Sequence, residues 1–338
     1  MRWIATAPAC TIGARLRLWP RRWCAWLPSR QCLYPCRCRP WLCPWARELR
    51  HERHAWPPQA SSLPLGGTGR RPRGAPVSAE RVTHIQSRDN PLLKELRRLV
   101  QDPGGYRRAG RLWIEGDHLC RAALQRGVRP AMALFSESSW PGAALEWAAA
   151  APRTLVVDDA LWPALSTLES PSSMGFVLDL PPTPQLQPGL PTVVLDRLQD
   201  AGNVGSVLRS AAAFGFTQVA ALKGTAALWS PKVLRAGMGA HFGLHLVEGV
   251  SVEALDALAV PMLATSSHQG ELLHRAQLPW PCAWLMGHEG QGVSAVLEAR
   301  AAQRIRIAQP GGEESLNVAA AAAICLHASA AQRVGDAG

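Results

Sequence analysis

Three short stretches hold the residue types from which a polar reaction site can be built. In Asn203-Val204-Gly205-Ser206-Val207-Leu208-Arg209, an amide and a guanidinium stand about one and a half turns apart if the segment is helical. In Gly287-His288-Glu289-Gly290-Gln291-Gly292, a carboxylate sits inside a glycine turn directly after the apolar run 282–286. The third, Ser315-Leu316-Asn317-Val318-Ala319, follows Gly311-Gly312-Glu313-Glu314 and runs into an alanine-rich helix. A guanidinium can grip a phosphate or stabilise a negative oxygen, and amides and a carboxylate can orient a hydroxyl-bearing ligand. Glycines after a strand let backbone approach that ligand. Each stretch alone also reads as caps, turns and tight packing: Ser315 and the two carboxylates suit a helix start, and Asn317 stands one turn into the helix.

The elements that must position these residues alternate between strand and helix. Residues 192–334 begin with the buried run Val193-Val194-Leu195, followed by a loop and a helix from near Asn203. A strand at 218–222, a helix at 231–238, a strand near 242–247 and a helix at 252–258 come next, then strands at 261–265, 282–286 and 304–307. Each of the three stretches falls at a strand-to-helix junction, where open α/β sheets bind ligands. The glycine turn after 282–286 does not have the spacing of a dinucleotide-binding loop at a first strand.

A smaller α/β unit is expected over 81–180, with a helix over 92–100 capped by Asn90-Pro91, strands at 112–114, 131–135, 154–157 and 174–180, and a helix at 117–126. Lys94, Arg97, Arg98, Arg107, Arg108 and Arg111 form a basic cluster on that helix and the following loop. It reads either as a phosphate-contacting patch or as an ordinary solvated face. Five prolines within 181–191 mark a stiff linker between the two units.

The formal charge of +11 is unevenly spread. Residues 1–80 carry 14 arginines, no lysine and 3 acids, whereas the remaining 258 residues hold 22 basic and 22 acidic groups. Any contact of the folded part with nucleic acid therefore rests on a local patch and not on the global field. Residues 1–80 also hold six of the nine cysteines, seven of the fourteen tryptophans and many prolines. Cys32, Cys36, Cys38 and Cys43 lack a paired C-x-x-C, so no zinc site is expected. Arginines interrupt a secretory signal and prolines break a transit helix, so the segment reads as an unstructured leader. A start near Val77, whose codon GTG can initiate, would make that leader upstream sequence. The other cysteines, Cys120, Cys282 and Cys325, give no disulfide framework and suit a reducing, cytoplasmic setting. No run is long and apolar enough to suggest a membrane helix.

Taken together, the three stretches and Trp229-Ser230-Pro231-Lys232-Val233-Leu234-Arg235-Ala236-Gly237-Met238-Gly239-Ala240 resemble the SpoU (TrmH) class of RNA ribose 2′-O-methyltransferases of the SPOUT superfamily. The likeness covers about 81–334. It implies an α/β architecture: a C-terminal domain with a parallel sheet and a trefoil knot, preceded by a small ribosomal-protein-like RNA-binding domain. It implies S-adenosylmethionine as cofactor, contacted by Gly287, Ile307, Leu316 and Thr265, no metal, and a homodimer formed through helices beside the knot. Arg209 is the implied key catalytic residue, with Asn203, Asn317, Glu289 and Ser315 around it. A guanidinium is a poor base at neutral pH, so a phosphate grip is the role expected of Arg209. The expected substrate is ribosomal RNA, with transfer RNA second. A non-catalytic ribosome-assembly factor of the same fold and a base-methylating relative are the competing readings; Arg209 and Asn317, both present, count against the first, and Ser-Leu-Asn-Val against the second.

Overall fold

The structure is a computed structural model, and it describes residues 82–143, 145–311 and 315–336. The leader with its cysteines, and Gly312, Glu313 and Glu314 at the expected helix start, lie outside the described residues.

Asn90 and Pro91 start the first helix as their types dictate. In sequence order the elements are β1 (Val82–Ile85), α1 (Pro91–Gln101), α2 (Gly105–Ala109), β2 (Arg111–Glu115), α3 (Asp117–Gln125), β3 (Met132–Ser136), α4 (Leu145–Ala149), β4 (Thr154–Val157) and β5 (Met174–Asp179). The Asn90 side-chain oxygen accepts from the amides of Leu92 at 3.0 Å and Leu93 at 3.4 Å, with proline at the first helical position. The sheet runs β1-β4-β3-β5-β2; β1, β4 and β3 are parallel, and β5 is antiparallel to both its neighbours. The loop expected between α1 and β2 instead contains the short helix α2.

The second sheet is built from β6 (Thr192–Leu195), α5 (Ala201–Ala213), β7 (Gln218–Leu222), α6 (Pro231–Gly237), β8 (His245–Val250), β9 (Met262–Ser266), β10 (Glu271–Leu272), β11 (Ala283–Met286), α7 (Ala295–Glu298), β12 (Gln303–Arg306) and α8 (Val318–Asp336). Its seven strands are all parallel, in the order β10-β12-β9-β11-β6-β7-β8. A parallel sheet is covered on both faces, which explains the unbroken apolar runs. Val194, Ala220, Ala264, Ala283 and Leu285 pack on one face, and Val193, Leu195, Val219, Trp284 and Met286 on the other. The second of these clusters is continuous with Leu112, Trp113 and Ile114 of β2, so the two sheets share a core. The prolyl segment 181–191 is bound down as it passes between them: Gln187 exchanges hydrogen bonds with the Gln218 side chain at 2.9 and 3.1 Å.

The strand expected near 242–247 is shifted to β8, because Ala240–Gly243 forms a 3-10 turn, and Glu253–Leu258 is likewise 3-10. After β12, near one edge of the sheet, the chain returns to its middle. There α8 is fastened by the buried bond from the Trp284 indole to Ser329 Oγ at 2.9 Å. The Gln332 side chain accepts from the Leu278 amide and donates to the Ala276 carbonyl.

Candidate active site

Every strand of a parallel sheet delivers its outgoing loop to the same edge. The loops after β6, β11 and β12 therefore converge where β6 and β11 lie side by side, and the three polar stretches meet there.

Asp200 caps α5, its carboxylate accepting from the Asn203 amide at 2.7 Å. This fixes Asn203 in the first turn and puts Arg209 on the same helix. Gly205 between them has a packing role: a Cβ there would collide with Ala236 and the backbone of Gly237, so only glycine lets α5 and α6 cross this closely. From the β11 loop, Glu289 accepts from the amides of Gln199 (3.3 Å) and Asp200 (3.2 Å) and from Asn203 Nδ2 (3.3 Å). From the last loop, Asn317 Nδ2 donates to Asn203 Oδ1 at 3.0 Å. Asn317, Asn203 and Glu289 thus form one chain of hydrogen bonds across three loops.

The structure corrects the position of Asn317 relative to its helix. It precedes α8 as its cap, its side-chain oxygen accepting from the amides of Ala319 at 2.9 Å and Ala320 at 3.3 Å. One side chain therefore starts the last helix with its oxygen and holds Asn203 with its nitrogen. Ser315 is exposed and has no hydrogen bond among the described residues. The Arg209 side chain is also exposed, with no hydrogen bond or ion pair to another described residue.

Partial burial opposes the charge on Glu289. Hydrogen bonds from its own amide, the Asp200 amide, the Asn203 side chain and the Gln199 amide outweigh that effect, and its pKa lies below the ordinary carboxylate value. Glu289 is therefore an ionised acceptor at neutral pH.

The loops after β9, β11 and β12 border a neighbouring region. Gly287 is buried, and the turn closes so tightly that a Cβ would meet the backbone of Gly292 and Val293. Leu316 is 40% exposed, Ile307 packs partly on the core, and the side-chain oxygen of Gln309 is buried without a partner. Bare backbone, apolar side chains and one unspent acceptor suit a ligand with a heterocycle and a sulfonium. The Thr265 hydroxyl donates to the Leu285 carbonyl at 2.9 Å, which leaves its oxygen as an acceptor.

Of the six basic candidates of the first unit, Lys94 pairs with Asp89 at 2.9 Å, Arg111 with Glu95 at 3.4 Å, and Arg108 with Asp102. Arg107 reaches Glu248 of β8 at 2.8 Å. Arg97 is half-buried, its Nε without a partner, and Arg98 is exposed. Sequence reasoning passed over Asp196, Arg197, Asp200, Gln291 and Glu248. Only Asp200, an acid just ahead of a helix, carried a local signal.

The SpoU rRNA Methylase family model matches residues 191–327. An uncharacterized tRNA/rRNA methyltransferase of Synechocystis is 30% identical over 265 residues, which cover 75% of this chain and 95% of that protein. The chain belongs to the SpoU family. Another SpoU-like relative, the 23S rRNA (guanosine(2553)-2′-O)-methyltransferase RlmP of Bacillus subtilis, is 29% identical over 218 residues, 63% of this chain and 86% of its own. Among solved structures, the AdoMet-bound rRNA methyltransferase from Sinorhizobium meliloti superposes with a TM-score of 0.65 at 25% identity, over 75% of this chain and 98% of that one. The expected fold class, a SPOUT parallel-sheet domain preceded by a smaller α/β unit, is therefore the fold of this SpoU chain. Its glycine-lined, partly apolar loop region fits S-adenosylmethionine.

Proposed function

We propose that this chain methylates a ribose 2′-hydroxyl of RNA, ribosomal RNA first, using S-adenosylmethionine. The observation that carries this reading is the bonded set Asn317–Asn203–Glu289, with an unspent Arg209 on the helix that Asn203 begins. The cofactor supplies an activated methyl group, so the protein's task is alignment and charge stabilisation.

Asn203 has its amide plane set at both ends, by Asn317 and by Glu289, and a second Nδ2 hydrogen remains for the nucleotide. Glu289, ionised and anchored by backbone amides, offers acceptor capacity to a ribose hydroxyl. Arg209 grips the phosphate beside the target ribose and stabilises negative charge growing on the attacking oxygen. Gly287, Ile307 and Leu316 line the cofactor side, with Thr265 keeping β9 and β11 in register beneath it. Ser315 contributes its hydroxyl to the polar wall.

The unit over 82–179 reads the RNA, with Arg98 and the exposed parts of Lys94 and Arg108 as its phosphate contacts. A second copy of the chain covers α8, where Ala320, Ile324, His327, Ala331 and Val334 form an exposed stripe at helical spacing. Ile324 is 41% and Val334 73% exposed, as a dimer face would require. Among the described residues no helix is long and apolar enough to cross a membrane, and Cys120, Cys282 and Cys325 are free and buried, which suits a cytoplasmic enzyme.

The test is transfer of radiolabelled methyl from S-adenosylmethionine to unmodified total RNA, with alkaline hydrolysis to locate the label. Label in alkali-resistant dinucleotides supports ribose methylation. Label in free mononucleotides would instead mean a base methylase, and no transfer despite cofactor and RNA binding would favour a non-catalytic factor.

A further inference from the structure

A second guanidinium stands at the same sheet edge, and its backbone is strained. Arg197 has φ of 60°, in the left-handed region that a non-glycine residue seldom occupies without compensation. It is the second residue past β6. Two neighbours hold its side chain at two different nitrogens: Nε donates to Asp196 Oδ1 at 2.9 Å, and Nη1 to Gln291 Oε1 at 3.2 Å. Asp196 is buried and itself pinned, its other oxygen accepting from the Ser294 amide at 2.7 Å. The guanidinium is thus locked in direction by the β11 loop, the same loop whose Glu289 holds Asn203.

The locked group is still open to solvent. The side chain is 37% exposed, and Nη2 has no partner among the described residues. Beside it runs the loop after β7, where Gly224 leaves Arg197 uncovered by any side chain of its own. Leu195 pairs with Ala221, so Arg197 and the exposed Lys223 each lie two residues past the same rung. The free Nη2 of a fixed, planar, always-charged guanidinium is a donor suited to a phosphodiester oxygen.

We propose that Arg197 binds a backbone phosphate of the substrate RNA flanking the nucleotide that Arg209 and Asn203 engage. The inference rests on the RNA-methylation reading of the adjacent site and extends it along the strand ends β6 and β7. Arg197 contacts the polyanion and leaves S-adenosylmethionine to the loops on the other side of β11.

The experiment measures binding of an unmodified large-subunit ribosomal RNA transcript by the full chain across a salt series, for wild type, Arg197→Ala and Arg197→Lys. Cofactor affinity and thermal midpoint are measured in parallel. Losing one phosphate contact should weaken RNA binding about tenfold and flatten the slope of log K against log salt by about one. Cofactor affinity should stay within about twofold of wild type. Arg197→Lys keeps the counter-charge for Asp196, so it guards against misfolding; it should restore the slope but not the full affinity. Unchanged RNA affinity and slope in a folded Arg197→Ala protein would overturn the proposal. So would a fall in cofactor affinity alone, which would make Arg197 a strut for the β11 loop. A wild-type chain that binds the transcript without methylating it would sink the ribose reading while leaving the slope comparison decisive. Failure of the wild type to bind RNA would overturn both.

Discussion

The junction between the two sheets and the edge where the polar loops meet are both rich in hydrogen-bonding side chains, and they use them in opposite ways. At the junction, Glu248 of β8 accepts from the Tyr106 hydroxyl at 2.7 Å on each oxygen, from Arg107 at 2.8 Å and from the Leu228 amide at 2.8 Å. Tyr106 is buried, and burial together with the neighbouring carboxylate raises its pKa. Nearby, Arg235 of α6 donates to Thr167 Oγ1 at 2.6 Å, again linking the two units. At the edge where the loops meet, Glu289 and Asn317 are exposed and Asn203 and Arg197 partly so, and Arg209 and Nη2 of Arg197 are left unspent. Polar groups whose hydrogen bonds are spent on one another hold modules in place. Polar groups fixed on one side and open on the other are available to a substrate.

That contrast is broken most severely at Arg209. Arg209→Ala should lower methyl transfer by about 10²–10³-fold while leaving the thermal midpoint unchanged, since no described residue depends on it. A loss of stability in that variant, or activity within a few-fold of wild type, would show that the open edge is not where the chemistry lies.

The second test lies on the junction side. His241 is fully buried against Trp229, with Nε2 2.9 Å from the Leu228 carbonyl and Nδ1 unpaired. Burial lowers its pKa from 6.5 to about 4, against a smaller opposing effect of the Leu228 bond. The unfolded chain binds this proton more readily, so the stability contribution is complete above 6.5 and is lost as pH falls toward about 4. The full loss amounts to about 3 kcal/mol. Urea midpoints measured from neutral pH downward should trace that decline and flatten in a folded His241→Gln protein; an equal slope in both would assign the acid lability to other groups.

Glu248→Leu should cost about 2 kcal/mol, because it leaves the proton of the buried Tyr106 hydroxyl and the Leu228 amide without their acceptor. Methyl transfer should suffer through KM for RNA, with cofactor affinity kept, as expected if the carboxylate sets the pose of the first unit. A pure kcat effect would instead tie Glu248 to the chemistry.

The smallest effect comes from separating the two duties of Asn317. Asn317→Ala should lose about 1 kcal/mol of stability with the cap, and activity with the Asn203 bond. Asn317→Asp keeps an oxygen for the Ala319 and Ala320 amides but has no donor for Asn203. It should be stable and poorly active. If Asn317→Asp retains wild-type turnover, Asn203 does not need that partner.

Much of the fold was legible from local pattern. Residues 154–157 and 218–222 are strands at the expected positions because unbroken β-branched and apolar runs have few other uses in a parallel sheet. β1 and β10 were not legible: Val82–Ile85 buries little more than its last residue, and Glu271–Leu272 is only two residues long. At the site, Asn203, Glu289 and Asn317 could be named from type and spacing. Their mutual bonds could not, since Asn203 and Asn317 lie 114 positions apart. No separate role for Gly205 was legible in the chain; the structure gives it one, the close crossing of α5 and α6.

By itself, then, the chain determined its alternation of strand and helix, its capped helix starts, and which side chains were candidates for chemistry, because those properties are written in periods of two to four residues. Only the tertiary structure decided that Arg107 would be taken up by Glu248 and not left to solvent, and that Arg209 would be left open. It also turned Asn317 into both a cap and a clamp, and bound two nitrogens of Arg197 while leaving Nη2 free. The physical reason is that a side chain's availability depends on which neighbours compete for its hydrogen bonds. Those neighbours are chosen by the order of strands in the sheet, which no local period encodes.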